Sequence, residues 1–302
     1  MISAAREREP TPRPTHERPR DALRELVDRW FRRACWVALV LPVTVLFVLF
    51  ADVVIDGAPR LGLDFLLSYP SRKPALAGVL PALVGSICLM LLTALISIPL
   101  GVAAAIYLEE YAKPGRLRDL IEINIANLAG VPSIIYGLLG LELFVRQLAL
   151  GRSLIAGSMT LGILLLPTVI MASREALRTV PRSVWEAAYA LGSDRWQTLR
   201  QVVLPMCSGG LLTGIILALG RAIGETAPLV TIGALTYVAF LPDSLGSPFT
   251  ALPIQIFNWI SRPQAAFHVN AAAGIVVLLV VMLALNGTAI WLRARRQRRV
   301  YW

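Results

Sequence analysis

LAGVLPALVGSICLMLLTALISIPLGVAAAIYL, residues 76–108, contains no charged side chain. A helix crosses the ~30 Å hydrocarbon core of a bilayer with about 20 residues, so this run spans it with length to spare. Pro81 and Pro99 predict a kinked helix that projects beyond the membrane. Outward from it, comparable apolar blocks fall at about 34–55, 121–144, 154–172, 206–232 and 270–292. Charged residues make up 16% of the 302 positions and apolar residues 56%, against about 25% charged in soluble domains. The fold class read from this pattern is all-α: a polytopic membrane protein with six transmembrane helices.

The net charge of +10 is a matter of topology. Lys and Arg number 22 in residues 1–33, 109–120, 173–205 and 293–302, whereas the alternate connections hold six. Positive loops stay in the cytoplasm, so both termini are expected there, in a bacterial plasma (inner) membrane. No basic, aromatic-interleaved surface for nucleic acid is visible. The expected organisation is a cytoplasmic tail over 1–33, a first span with its external loop over 34–75, a five-span core over 76–292 and a basic cytoplasmic tail over 293–302. Within the first tail, the proline-rich residues 1–20 read as disordered and Asp21–Arg33 as a short amphipathic surface helix. In the external loop 233–269, Pro253–Ile260 reads as a short interfacial helix, where Trp259 is favoured.

Catalytic motifs are missing. The two lysines, Lys73 and Lys113, are each followed by proline, so no phosphate-cradling P-loop can be built. Cys35, Cys88 and Cys207 are isolated in or beside apolar blocks, and His16 and His268 stand in unrelated contexts. No metal site follows from their spacing, no catalytic residue is assigned and no cofactor is expected on this chain. Any nucleotide-driven work requires another polypeptide.

The connection between the fourth and fifth spans carries more signal. Ser183 and Glu186 have the spacing of a capping box, Gly192 suits the left-handed residue that ends a helix, and Asp194 with Gln197 opens a second helix. Pro205 is expected to limit its continuation into the fifth span. Two short helices with a sharp turn serve equally as a rigid connector or as a docking element.

The fifth span contains Leu219-Gly-Arg-Ala-Ile-Gly-Glu-Thr-Ala-Pro-Leu229. A charged residue in mid-bilayer is costly, about 2.5–3.5 kcal/mol for Arg, and therefore faces protein or a wet cavity. At 100° per residue, Gly210, Gly214, Ala218, Arg221 and Glu225 share one helix face, which joins small residues for close packing to both charges. Gly220 and Gly224 add further small positions, and Pro228 should break the helix beyond. Arg221 and Glu225 could neutralise each other structurally, offer a charge-assisted contact to a passing anion, or gate a pathway.

Arg221–Pro228, Arg-Ala-Ile-Gly-Glu-Thr-Ala-Pro, resembles the signature of the PstA-type permeases of phosphate-specific ABC importers. Ile98–Tyr111, Leu128–Leu138 and Glu175–Pro181 agree with it, and the similarity covers about residues 78–292. Glu186-Ala187-Ala188, followed by Gly192 and by Leu204-Pro205, resembles the EAA loop with which such permeases couple to their ATPase. The resemblance implies a type I ABC importer permease fold and half of a translocation pathway, with Arg221, Glu225 and Thr226 lining it. It implies a homologous second permease, a homodimeric ATPase that holds ATP and magnesium, and an external phosphate-binding protein as partners. Permeases for sulfate, molybdate or amino acids share the loop, and a membrane component that senses phosphate supply is a further alternative. One departure stands out: Met171 and Arg174 occupy positions where many relatives carry an arginine and an acidic residue, which leaves Arg174 as a candidate replacement for that arginine.

Overall fold

The computed structural model describes residues 18–234 and 237–297. The chain divides into two compact units, Met1–Asp52 and Val53–Trp302. Helix α1, Arg18–Gly57, makes up the described part of the first and extends past its boundary. The disordered tail expected over 1–20 lies outside the described residues up to position 17, and Arg18–Arg20 already belong to α1. The separate surface helix expected over Asp21–Arg33 is not found. Those residues continue without a break into the apolar part of the same 40-residue helix. Taken by itself, α1 exposes Trp36, Leu41, Leu46 and Phe47, which suits lipid as solvent.

The second unit is also helical. Short α2, Leu63–Leu67, precedes α3, Leu80–Ile106. After them come α4, Arg116–Ala129, α5, Ser133–Gly140, and α6, Leu154–Arg178. The connection between α6 and the next long helix contains α7, Arg182–Ala190, and α8, Arg195–Thr198. The chain then forms α9, Leu204–Ile223, α10, Ala227–Ile232, α11, Leu252–Ile260, and α12, Ala265–Gln297. Residues 298–302 of the expected basic tail lie outside the described residues. Among the described residues there is no strand, only an isolated antiparallel bridge between Ser153 and Pro248. Among the described residues, five helices are long and apolar enough to cross a bilayer: α1, α3, α6, α8 with α9, and α12.

The sixth expected span, 121–144, is broken. Helix α4 and the segment Ser133–Gln147 meet at 102° across Gly130, Val131 and Pro132. Proline has no N–H for the helical ladder and pushes the preceding residue out of helical conformation, so the chain turns here. The Tyr136 hydroxyl donates across the corner to the Leu128 carbonyl at 2.8 Å. The proline effects expected in α3 also differ. Pro81 lies in the first turn, where its missing N–H costs nothing, and the helix runs on through Pro99.

Helix α6 is the centre of the unit, with α3, α9, α5 and α4 packed around it. Its first amides are all satisfied. Leu154 and Ile155 donate to the carbonyls of Ser247 and Leu245, both at 3.0 Å. Ala156 donates to the Ser153 hydroxyl at 3.3 Å, and Gly157 to the Ser153 carbonyl at 3.0 Å. A buried helix end needs such partners because water cannot reach its orphan donors. The same polar economy joins α3 to α6, where the Thr93 hydroxyl donates to the Ser158 carbonyl at 3.4 Å.

Helix α11, expected at the membrane interface, is instead one of the most buried elements. Leu252, Ile254, Gln255 and Trp259 are at most 2% exposed, and Trp259 meets Phe65 of α2 at 5.8 Å between ring centroids. The Ser86 hydroxyl of α3 accepts from the Leu252 amide at 2.7 Å and fixes the helix start. The stretch Pro253–Ile260 is thus an apolar plug closing one end of the bundle.

At the opposite end, five charged side chains lock α4 to α6. Arg174 donates to Glu109 at 3.3 Å and to Glu122 at 2.5 Å. Arg178 donates to Glu109 at 2.9 Å, and Arg118 to Glu122 at 2.8 Å. Glu109 lies in a widened π-helical turn, Tyr107–Tyr111, that ends α3. No residue of α4 is fully buried, and these pairs add to the packing of Ile125 against the apolar core beside α6.

Two changes test this architecture. Removing one partner of a buried ion pair costs about 3–5 kcal/mol because the other charge is stranded. Arg174→Met, in a side chain only 10% exposed, should therefore lower the thermal midpoint in detergent far more than Arg178→Met, 47% exposed, where about 1 kcal/mol or less is at stake. Equal losses would remove the lock. At Gly137, a Cβ would overlap the Thr231 hydroxyl and lie 2.6 Å from the Pro228 Cα. Gly137→Val should cost about 1–3 kcal/mol by overpacking between α5 and α10, read as a lower midpoint; an unchanged midpoint would refute that contact.

Candidate functional site

Helix α9 stops at Ile223, before the proline expected to break it. Gly224 caps it and donates to the Arg221 carbonyl at 3.3 Å, and the Glu225 amide donates to Ala222 at 3.2 Å. Pro228 begins the next helix, α10, in whose first turn it is tolerated. Arg221 and Glu225 thus lie on either side of a helix end. Their contact is a single one, Arg221 Nε to Glu225 Oε1 at 3.5 Å. Arg221 is 61% exposed and Glu225 16%. Glu225 holds one edge of the guanidinium, and the rest of the fork remains directed to open space. The Thr226 hydroxyl is turned to the Gly224 carbonyl at 3.4 Å.

The single face expected for the glycines and charges is divided. A methyl group at Gly210 would lie 3.3 Å from Ala176 Cβ, and one at Gly214 would overlap Ala172, so these two positions let α9 approach α6 closely. Ala218 is buried at 1% exposure. Gly220 looks toward a different neighbour, Asn286 of α12, at 3.2 Å. Gly224 meets only the end of its own helix. The helix turns its small residues to two partners and leaves Arg221 outside both contacts.

The turn is positioned by α10, which packs on α5 where Gly137 faces Pro228 and Thr231. Two stretches far apart in sequence, 128–138 and 221–228, therefore form one structural unit. Gly233, at φ +82, ends α10 in the left-handed conformation that glycine adopts without a Cβ penalty.

At the other end of α9, helix α7 is held as a rigid projection. Trp185 and Ala188, 5% and 7% exposed, enter a core with Leu177, Val180, Leu199 and Val203. Its C-terminus is a Schellman motif: Gly192 at φ +88 donates to Tyr189 at 2.9 Å, and Ser193 to Ala188 at 3.2 Å. The capping box expected at Ser183 and Glu186 is not formed. Pro181, with its fixed φ near −59°, starts the helix two residues earlier, so Ser183 falls inside the first turn. Glu186 and Ala187 lie on the exposed face. The Asp194–Gln197 box is present, with bonds of 2.7 and 3.1 Å.

Pro205 does not interrupt the helix that follows. A π-helical turn over Leu199–Val203 widens the backbone just ahead of it, and Arg195–Ile223 runs as one helix of 29 residues. A widened turn accommodates the proline ring and its missing donor without ending the helix. Leu204 is half-buried and Pro205 exposed. Sequence reasoning passed over Leu191, which is 87% exposed at the tip of α7. Its signal was an apolar residue immediately before a capping glycine.

Arg174, considered as a replacement for an anion-contacting arginine, is committed to Glu109 and Glu122 and buried. Met171 is 45% exposed. Among the described residues, no group of three or more His, Cys, Asp or Glu side chains could hold a metal ion.

Comparison with known proteins adds the lineage. Residues 97–300 match the family described as binding-protein-dependent transport system inner membrane component. The chain is 31% identical over 283 residues, 89% of it and 96% of the relative, to the probable ABC transporter permease protein YqgI of Bacillus subtilis. It is 34% identical to the phosphate transport system permease protein PstA of Yersinia pestis, over 85% of this chain and 89% of that one. It is 33% identical to PstA 1 of Mycobacterium tuberculosis, over 74% and 72% respectively. Its fold is that of a chain from an inward-facing MetNI methionine ABC transporter, with a TM-score of 0.56 at 18% identity, covering 72% of this chain and 94% of the other. Five membrane-length helices and one broken pair among the described residues, in a chain matched over most of its length, make this protein a member of the binding-protein-dependent transport system inner membrane component family.

Proposed function

We propose that the chain is the membrane-spanning permease subunit of an ATP-driven importer of inorganic phosphate. It lies in a bacterial inner membrane with both termini in the cytoplasm. A second, homologous permease completes the pathway, a homodimeric ATPase binds ATP and magnesium, and an external phosphate-binding protein delivers the solute. The relatives named as phosphate permeases support the substrate, as does the Arg221–Pro228 run. The excess of Lys and Arg in the segments flanking α7 supports the orientation.

The observation that carries the reading is Arg221. It stands at a helix end in an apolar span, with one contact to Glu225 and most of its fork open. A tetrahedral oxyanion accepts from such a fork through charge-assisted hydrogen bonds. Glu225 lowers the net positive charge at the turn, which favours passage over retention. Glu186, Ala187 and Gly192 form the surface that seats on the ATPase, while the buried Ala188 holds α7 in place beneath it. Leu204 and Pro205 join that surface to the helix bearing Arg221.

ATP-driven uptake of labelled phosphate into proteoliposomes holding the four-component complex tests the proposal. Uptake should be blocked by unlabelled phosphate and indifferent to sulfate; an assembled complex with active ATPase and no phosphate uptake would overturn the substrate. Arg221→Gln should slow uptake at least about tenfold, the lower bound for losing a charge-assisted hydrogen bond of about 1.5–3 kcal/mol, while the complex still copurifies. Normal uptake in that variant would exclude a direct role. Gly192→Val forces a β-branched residue into the left-handed region. ATP hydrolysis should persist while uptake falls, and full coupling in this variant would count against docking through α7.

A further inference from the structure

The turn between α3 and α4 has a feature that transport does not use. Tyr107, Tyr111, Lys113, Arg116, Leu117 and Arg118 line a cleft of about 490 Å³. Three cations line it and no carboxylate does. Of the two acids on this turn, Glu109 is turned into the lock with Arg174 and Arg178, and Glu110 lies in the field of Arg182 and Arg195 and does not line the cleft. Arg118 shares in that lock, whereas Lys113 and Arg116 make no ion pair among the described residues and are exposed. The first turn of α4 adds amides that no side chain caps.

The outer wall of the cleft is apolar. Leu117 and Leu120 are 72% and 57% exposed, and Tyr107 and Tyr111 58% and 42%. Leu117, Leu120 and Ile121 follow the i, i+3, i+4 spacing of one helix face, so α4 presents an apolar stripe beside its basic start. The cleft lies at the same end as α7, where Leu108, Trp185 and Leu199 share a core.

We infer that this cleft binds the phosphate headgroup of an anionic phospholipid, with Lys113 and Arg116 on the phosphate and the α4 stripe against the acyl chains. Basic pockets at the cytoplasmic rim of membrane helices suit such headgroups. A free phosphate would use the cations but not the exposed leucines, and the combination commits the site to lipid. The inference rests on the geometry of this rim and is independent of which solute the protein moves.

Native mass spectrometry of the full chain, released from nanodiscs of phosphatidylcholine doped with phosphatidylglycerol, tests it. Phosphatidylglycerol should be retained in preference to phosphatidylcholine. Lys113→Gln with Arg116→Gln should reduce that retention about thirtyfold, as expected for two cations near the lipid surface. Lys113→Arg with Arg116→Lys should restore it, which separates charge from folding. Added inorganic phosphate should leave the lipid in place. Equal retention in the glutamine variant, no preference between the lipids, or displacement by inorganic phosphate would each overturn the assignment.

Discussion

The close approach of α3 and α6, joined by the hydrogen bond from the Thr93 hydroxyl to the Ser158 carbonyl, is the contact on which the rest of the unit depends. Hydrocarbon supplies neither a hydrophobic drive between helices nor water for a stray donor, so packing and internal hydrogen bonds must do both tasks. Gly157 and Ser158 let α6 meet Leu89 and Phe249 closely, and Ser158 donates back to its own helix at 2.8 Å. The 245–247 segment closes the end of α6, and this brings Thr250, Leu252 and the buried α11 over the top of α3. Helix α9 then lies along α6 through Gly210 and Gly214. Each later element docks on a surface that the α3–α6 pair has already fixed.

How far the sequence disclosed this depends on the range of the interaction. The long apolar blocks were legible because hydropathy is local, and Gly192 and the Asp194–Gln197 box because turn chemistry is local too. The break at Gly130–Pro132 had a local signal, but apolar residues on both sides masked it as one span. Helix α11 was misplaced because Trp259 suits an interface and a core equally, and only Phe65, distant in sequence, decides between them. Arg174 was legible as a departure but not as a lock. Its partners Glu109 and Glu122 are 65 and 52 residues away, and no spacing rule reaches so far. The division of the α9 face was hidden for the same reason, since periodicity gives a direction but not the neighbour found there.

The two functional ends of the unit are joined by a single piece of secondary structure. Arg195 starts the helix whose last turn carries Arg221, and the 26 residues between them span about 39 Å at 1.5 Å per residue. Helix α6 runs beside it and passes directly into α7 through Thr179–Pro181. On the proposed docking through α7, two packed helices rather than a relay of side chains connect that surface to the Arg221 turn. The π-helical turn at 199–203 is the one irregular place along that lever. At the far end, α10 is held to α5 by the Gly137 contact, so the break between α9 and α10 lies at Gly224–Thr226. Arg221 stands in the last turn of α9 and Glu225 within that break. Their single contact at 3.5 Å, with Arg221 61% exposed, leaves the guanidinium accessible as the proposed anion contact requires, where a buried bidentate bridge would close it off.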